Sequence, residues 1–221
     1  MAGRTMVMGD IHGNLSAYKQ CMERSLFDKE LDKLIQLGDV SDRRPHSAEV
    51  VEELLKIPSL TALRGNHDVW TMDWLIHGIT DMSWIENGGF VTVRSYEQNR
   101  NRIDIEKHKE FFLSTQLDFF IDSEKRVFVH GGFTNPKGPI YEENPSICYW
   151  DRSLWRDALN SLKSTTSQNF KEVYLGHTPT LNWGRDTPMN AQNIWNLDTG
   201  AGTNGKLTIM DIDTKEYWQS D

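Results

Sequence analysis

The sequence predicts an α/β fold. Three observations carry that reading: short apolar runs that each stop at a glycine or a polar cluster, helix-spaced segments between the first three runs, and tight-turn patterns joining the last ones. "TMVMGD" (5–10) reads as the first strand. In residues 14–27, Leu15, Tyr18, Met22 and Leu26 have the spacing of an amphipathic helix. "KLIQLGD" (33–39) reads as the second strand. Residues 47–57 read as a helix, with Ser47 as N-cap and Glu49 and Glu52 near its start. "LTALRGNHD" (60–68) reads as a third strand running into a loop. The order β-α-β-α-β favours parallel pairing through helical crossovers.

The second half changes character. Residues 83–105 are polar and glycine-bearing and predict a loop or lid. Residues 106–120 look helical and then extended. "RVFVHGG" (126–132) and "KEVYLGHTP" (171–179) read as strands that each end in histidine. Residues 193–220 predict antiparallel strands joined by tight turns, with "DIDTKE" as a hairpin turn. No repeat, low-complexity tract or Pro/Gly/Ser-rich linker divides the chain, so residues 1–221 read as a single domain.

Composition narrows the function classes. A hydrophobic content of 38% over 221 residues is enough for a real core. A net charge of −8 argues against a general nucleic-acid-binding or membrane surface, while leaving room for one local anion site. No apolar run approaches the roughly 18–20 residues of a membrane span. The first residues, "MAGRTMVMGD", lack the apolar stretch of a secretory signal, so a cytoplasmic location is expected. Two cysteines, Cys21 and Cys148, offer no disulfide framework. No hydrophobic seam or heptad is visible, and a monomer is the expectation.

What terminates the strands is more informative. The first run is followed by Asp10 and His12, the second by Asp39, the third by Asn66 and His67. The two later runs are followed by His130 and His177. Each residue alone reads more easily as part of an ordinary turn; five strand ends together do not. Ligands of open α/β sheets bind at the carboxyl ends of strands, so these side chains can converge. Two carboxylates, three imidazoles and an Asn carbonyl, without a thiolate, suit Mn²⁺, Fe, Zn²⁺ or Co²⁺ better than Ca²⁺ or a structural zinc. Six protein ligands are too many for one catalytic ion with open positions. They suit two ions sharing Asp39, and such pairs typically serve hydrolysis or transfer at phosphorus.

"GDIHGN", "GDVSDR", "RGNHD", "VHGG" and "GHTP", in that order, resemble the signature set of the calcineurin-like metallophosphoesterases. "GDVSDR" and "RGNHD" resemble the PPP-type serine/threonine protein phosphatases, and the likeness is greatest to compact bacterial and phage-type members. The resemblance implies a sandwich of two mixed β-sheets flanked by helices. It implies two divalent ions, Mn²⁺ foremost, with Asp10 and His12 on the first, Asp39 bridging, and Asn66, His130 and His177 on the second. It makes His67 the general acid for the leaving oxygen and Asp42 the group that orients it. Arg43 matches the first phosphate-binding arginine, Arg152 in "YWDRSLW" a second, and Asn66 completes the substrate-binding set. A metal-bridging hydroxide would be the nucleophile. The expected substrates are phosphorylated protein or small phosphoesters. A dinucleoside polyphosphate hydrolase or nucleotide phosphodiesterase with the same site is the alternative, and a non-enzymatic scaffold is a third, weaker one.

Some features depart from that pattern. Arg44 stands where relatives usually have a glycine able to take a positive φ, and it is expected to point to solvent. "GAGTNG" (200–205) matches a dinucleotide fingerprint but precedes a strand rather than opening a helix, so it is discounted. His46, His77 and His108 are expected to be surface or structural, and Trp150 and Trp155 to be packing residues.

Overall fold

The computed structural model describes residues 3–160 and 167–221. The first sheet contains β1 (Thr5–Met8), β2 (Lys33–Gln36) and β3 (Leu60–Ala62), all parallel. Two antiparallel strands from the end of the chain, β9 (Thr208–Asp211) and β10 (Tyr217–Gln219), complete the order β10-β9-β1-β2-β3. The second sheet holds β4 (Phe119–Ile121), β5 (Arg126–Val129), β6 (Glu172–Leu175), β7 (Met189–Ala191) and β8 (Ile194–Asn196). Its order is β4-β5-β6-β8-β7, with β5, β6 and β8 parallel and the two edges antiparallel. This is the sandwich of two mixed sheets that the resemblance implied.

Strand alternation divides the core into layers. Val7, Ile35 and Met210 of the first sheet meet Phe128 and Tyr174 of the second, whose rings stack at 5.0 Å. The neighbouring positions Met6, Met8, Leu34 and Ile209 point the other way. They pack against α1 (Leu15–Arg24), α2 (Ser47–Leu54) and α5 (Phe90–Asn99). On the far side, Val127, Val129, Val173 and Leu175 pack with Leu154 and Trp155 of α8 (Ser153–Leu159). Each fully buried side chain of this size contributes about 1.5–3 kcal/mol. Among the described residues no helix is long and apolar enough to cross a membrane.

Several sequence expectations need correction. The predicted loop at 83–105 is mostly helical: α4 (Met82–Trp84), one wide turn at Ile85–Gly89, then α5. The buried face of α5 carries Thr92, Ser95, Tyr96 and Asn99, three of them polar, so its helical period was invisible to an apolar-spacing test. The first helix stops at Arg24, because Leu26 takes φ 52° and lies 81% exposed. Asn14 caps that helix by accepting Ala17 N–H at 3.1 Å. Ser47 is not the cap of α2; its hydroxyl accepts Asp42 N–H instead. Residues 193–220 do not form one antiparallel set: β8 joins the second sheet, parallel to β6 and antiparallel to β7, while β9 and β10 join the first. The β9–β10 hairpin is as expected.

A buried carboxylate clamps the starts of β1 and β2. Asp32 accepts Arg4 N–H at 2.7 Å, Arg4 Nη2 at 2.6 Å and Asp28 N–H at 3.1 Å. Burial pushes its carboxyl up, but the hydrogen bonds from Arg4 and Asp28 outweigh that and hold it below the usual carboxylate range. The sign follows from linkage: stability from a depressed carboxyl is complete above its unfolded value and is lost as pH falls through the folded one. Asp32→Asn should therefore lower the stability measured by urea unfolding at pH 7 by about 1–3 kcal/mol. The deficit should shrink as the medium is taken below pH ~4; a constant deficit at all pH values would refute the clamp.

Candidate metal centre

The carboxyl ends of parallel strands from both sheets meet at one rim of the sandwich. β1 is followed by Asp10 and His12, β2 by Asp39, and β3 by Asn66 at the start of α3 (Asn66–His77). From the second sheet, His130 follows β5 and His177 follows β6. All six predicted ligands are buried, none more than 5% exposed. Asp39 lies between the histidines: its Oδ2 is 3.5 Å from His12 Nε2 and its Oδ1 is 3.4 Å from His130 Nε2. His130 Nε2 also donates to Asn66 Oδ1 at 3.2 Å.

Backbone carbonyls set the ring orientations. His12 Nδ1 donates to Ser41 O at 2.9 Å, and His130 Nδ1 donates to Leu37 O at 2.8 Å. Each therefore turns Nε2 towards Asp39, the arrangement by which outer hydrogen bonds present imidazole to a metal. His177 Nε2 is buried and has no hydrogen-bond partner. An orphaned buried ring nitrogen costs about 1–3 kcal/mol unless something else satisfies it. Ligand atoms of His12, Asp39 and His67 lie within 4.8 Å of one another, as do those of Asp39, His130 and His177. Asp39 is common to both triads, as a bridging ligand must be. Asp10 falls in neither; its carboxylate accepts His177 N–H at 3.0 Å and so abuts the second triad from behind. These N and O donors fit divalent ions.

The chain's own charges do not settle the cluster. Burial pushes the Asp10 carboxyl well above the usual range, and Asp198 adds to the effect. Burial likewise pushes the His12 and His177 rings well below the usual histidine value. Burial opposes charge on His130 too, but Asp39 and Asp10 overcome it and raise the ring to about 10. A proton held by His130 beside Asp39 therefore stands in for the positive charge the carboxylates require, and a cation taken up there must displace it.

Next to the triads lies a carboxylate–imidazole pair. His67 Nδ1 donates to Asp42 Oδ2 at 2.7 Å, and both side chains are buried. Asp42 is held on every side, by Trp84 Nε1 at 2.8 Å on Oδ2 and Thr92 Oγ1 at 2.7 Å on Oδ1. Arg43 Nη2 donates to the free nitrogen of His67, Nε2, at 3.3 Å. Arg152 reaches the rim from the other side, donating to His177 O at 3.0 Å and Thr178 Oγ1 at 2.8 Å. The structure thus brings all the predicted site residues to one rim. Arg44 departs from expectation: it is half-buried, its Nε donates to Ala201 O at 3.4 Å, and its φ is not positive. The left-handed residues are instead its neighbours Asp42 (φ 74°) and Arg43 (φ 65°).

Two buried carboxylates beside the triads, Asp68 and Asp198, are not among the residues singled out from the sequence. Asp68, next to His67, accepts N–H groups from Asp39, Val40 and Gly65. Asp198 follows β8, and its charge acts on Asp10. The signal for Asp198 was present, since "NIWNLD" is another apolar run closed by an acid. Trp150 also differs from its expected packing role, being 45% exposed, whereas Trp155 is buried as expected. The two glycines of "GDIHGN" have separate reasons, and Gly13 takes φ 65°, the left-handed backbone of a turn. A Cβ on Gly9 would come within 2.2 Å of Leu197 O, so that residue is needed for close approach rather than for turning. A Cβ on Gly176 would stand 2.1 Å from Asp10 Oδ1. Gly176→Ala should therefore displace Asp10 and weaken retention of Mn²⁺ by about 10–100-fold, the range seen when metal ligands lose their supports. Metal content after graded chelation reads this directly; unchanged retention would show that Asp10 takes no part.

The comparisons with known proteins agree with this geometry. The family model of the calcineurin-like phosphoesterases matches residues 3–198. Serine/threonine-protein phosphatase 2 of Escherichia coli K12 is 35% identical over 210 residues, covering 93% of this chain and 91% of its own. A symmetrical bis(5'-nucleosyl)-tetraphosphatase of Pseudomonas fluorescens is 38% identical over 272 aligned positions, covering 97% of this chain and 93% of its own. Among solved structures, a Saccharomyces cerevisiae protein serine/threonine phosphatase superposes with a TM-score of 0.63 at 13% identity, covering 99% of this chain and 79% of its own. The chain belongs to the calcineurin-like phosphoesterases, as a metal-dependent phosphatase-type hydrolase related to the PPP-type serine/threonine phosphatases.

Proposed function

We propose that the chain is a phosphomonoesterase that removes phosphate from serine and threonine side chains of proteins. The observation that carries this reading is the buried His67–Asp42 pair, 2.7 Å apart, with the far nitrogen of His67 turned towards Arg43. A serine or threonine alkoxide is a poor leaving group and needs a proton as the bond to phosphorus breaks. Asp42 fixes the His67 ring through Nδ1, so that Nε2 faces the leaving oxygen and can deliver that proton. Cleaving a polyphosphate anhydride releases an acidic phosphate that needs none. Divalent ions held by Asp10, His12, Asp39, Asn66, His130 and His177, with Mn²⁺ preferred, would supply an activated water and charge neutralisation. Arg43 and Arg152 give planar, bidentate grips on phosphate oxygens from opposite sides, and Arg43 leaves His67 to do so. A dinucleoside polyphosphate hydrolase is the second reading, favoured by the likeness to the Pseudomonas tetraphosphatase.

One substrate panel separates the two readings. Mn²⁺-loaded protein is offered a phosphothreonine peptide, a phosphotyrosine peptide, diadenosine tetraphosphate and a bis-aryl phosphodiester. The phosphothreonine peptide should be turned over faster than the dinucleotide; dominant cleavage of the dinucleotide would sink the protein-phosphatase reading. His67→Asn should lower kcat on alkyl phosphates by about 10²-fold or more, the typical contribution of a positioned acid. Its loss on 4-nitrophenyl phosphate, whose leaving group needs little protonation, should be much smaller. Equal losses on both would remove the acid role from His67.

A further inference from the structure

An arc of aromatic side chains runs along the centre and continues beyond the proposed metal ligands. Ring centroids run His12 to His67 at 4.8 Å, His67 to Trp70 at 5.1 Å and Trp70 to Trp150 at 5.2 Å. The arc goes on from Trp150 to His177 at 6.2 Å and from His177 to His130 at 4.9 Å. Four members are imidazoles already accounted for; two are indoles with no part in the chemistry above. Their positions follow from the local sequence. Trp70 lies one turn after His67 on α3, so the two rings share a helix face. Trp150 ends α7 (Ile147–Trp150), two residues before Arg152. These indoles also differ from the buried ones: Trp84 and Trp155 are 0% and 1% exposed, whereas Trp150 is 45% exposed. An indole held edge-on against its neighbours and left open to water has surface to offer that packing does not use.

We infer that Trp70 and Trp150 form a wall beside the leaving group that adds affinity for phosphoesters with a planar ring near the phosphate, without excluding alkyl esters. The inference rests on the phosphoester reading above. With His67 as proton donor, the leaving oxygen must sit at its Nε2. The first atoms beyond that oxygen then lie next to what flanks His67. Asp42, Trp84 and Thr92 close the Nδ1 side of the ring. Trp70 stands against the ring at 88°, and Trp150 continues the surface outward to solvent. A ring one or two bonds from the ester oxygen meets indole there, while a short alkyl chain leaves the wall wet. Aromatic contacts of this kind change binding by about 3- to 10-fold. A phenyl or benzyl group attached directly supplies such a ring, and a nucleobase supplies it from farther out.

The test uses non-hydrolysable probes, so that leaving-group reactivity plays no part. Inhibition constants are measured on the Mn²⁺-loaded protein for benzylphosphonate against ethylphosphonate, and for the 5'-methylenephosphonate analogue of adenosine 5'-monophosphate against that of ribose 5-phosphate. The wild type should prefer the ring-bearing member of at least one pair by about 3-fold or more. Trp150→Leu and Trp70→Leu should bring that preference towards one, and Trp150→Phe should restore most of it. Loss in the benzyl pair identifies a directly attached ring; loss in the nucleotide pair identifies a nucleobase. Trp150 is exposed, so its variant answers the question even where Trp70→Leu disturbs α3. Preferences that survive both Leu substitutions, or wild-type ratios near one in both pairs, would overturn the wall and leave the phosphoesterase reading standing. A wild type that binds none of the four probes would overturn both.

Discussion

The site depends on one buried carboxylate that touches neither metal nor substrate in the scheme above. Asp68 Oδ2 accepts N–H groups from Asp39 at 2.8 Å, Gly65 at 3.0 Å and Gln116 Nε2 at 2.9 Å. Its Oδ1 accepts Val40 N–H at 2.9 Å. These donors come from the turn after β2, the start of α3 and the segment before β4. One side chain therefore fixes Asp39 relative to Asn66 and His67. Burial and the charge of Asp39 push the Asp68 carboxyl up to about 6. Three backbone donors and an amide are what make its ionised form tolerable there. Removing it would leave several buried N–H groups unsatisfied at once, each costing about 1–3 kcal/mol.

The same logic of borrowed backbone runs through the rest of the rim. Leu37 O and Ser41 O orient His130 and His12, and His177 N–H bonds Asp10. The functional side chains are thus held by main-chain groups of neighbouring strand ends, which the two sheets hold rigid. That is why a sandwich of short strands, three to four residues each, can place so many groups at one edge.

The fold and the buried rim residues are legible for the same physical reason. A buried parallel strand must be an apolar run, and the residue after it emerges at the rim; Asp10, Asp39, Asn66, His130 and His177 all carry that signature. Where burial is polar, the signature disappears. The buried face of α5 puts Thr92 against Asp42 and Ser95 against α2, polar contacts that leave the segment looking like a loop in sequence. Asp68 sat in plain view within "RGNHD", but a carboxylate bonded to main-chain N–H leaves no periodic trace. Trp84 reaches Asp42 across 42 positions of sequence, a contact that no local pattern encodes. Left-handed backbone at residues other than glycine is equally silent in the sequence.

That backbone has a cost of its own. His12, Asp39, Asp42, Arg43 and His177 all have φ between 50° and 74°, a region most side chains avoid at a cost of about 1–3 kcal/mol each. Glycine would ease the backbone at each, but at Asp39 and Asp42 it would leave His67 N–H, Trp84 Nε1 and Thr92 Oγ1 without the oxygens they bond. The rim consequently works as a permanent drain on folding free energy, offset by the aromatic and aliphatic layers beneath it. The stability that carries these five positions therefore has to be stored elsewhere, in the interior between the sheets.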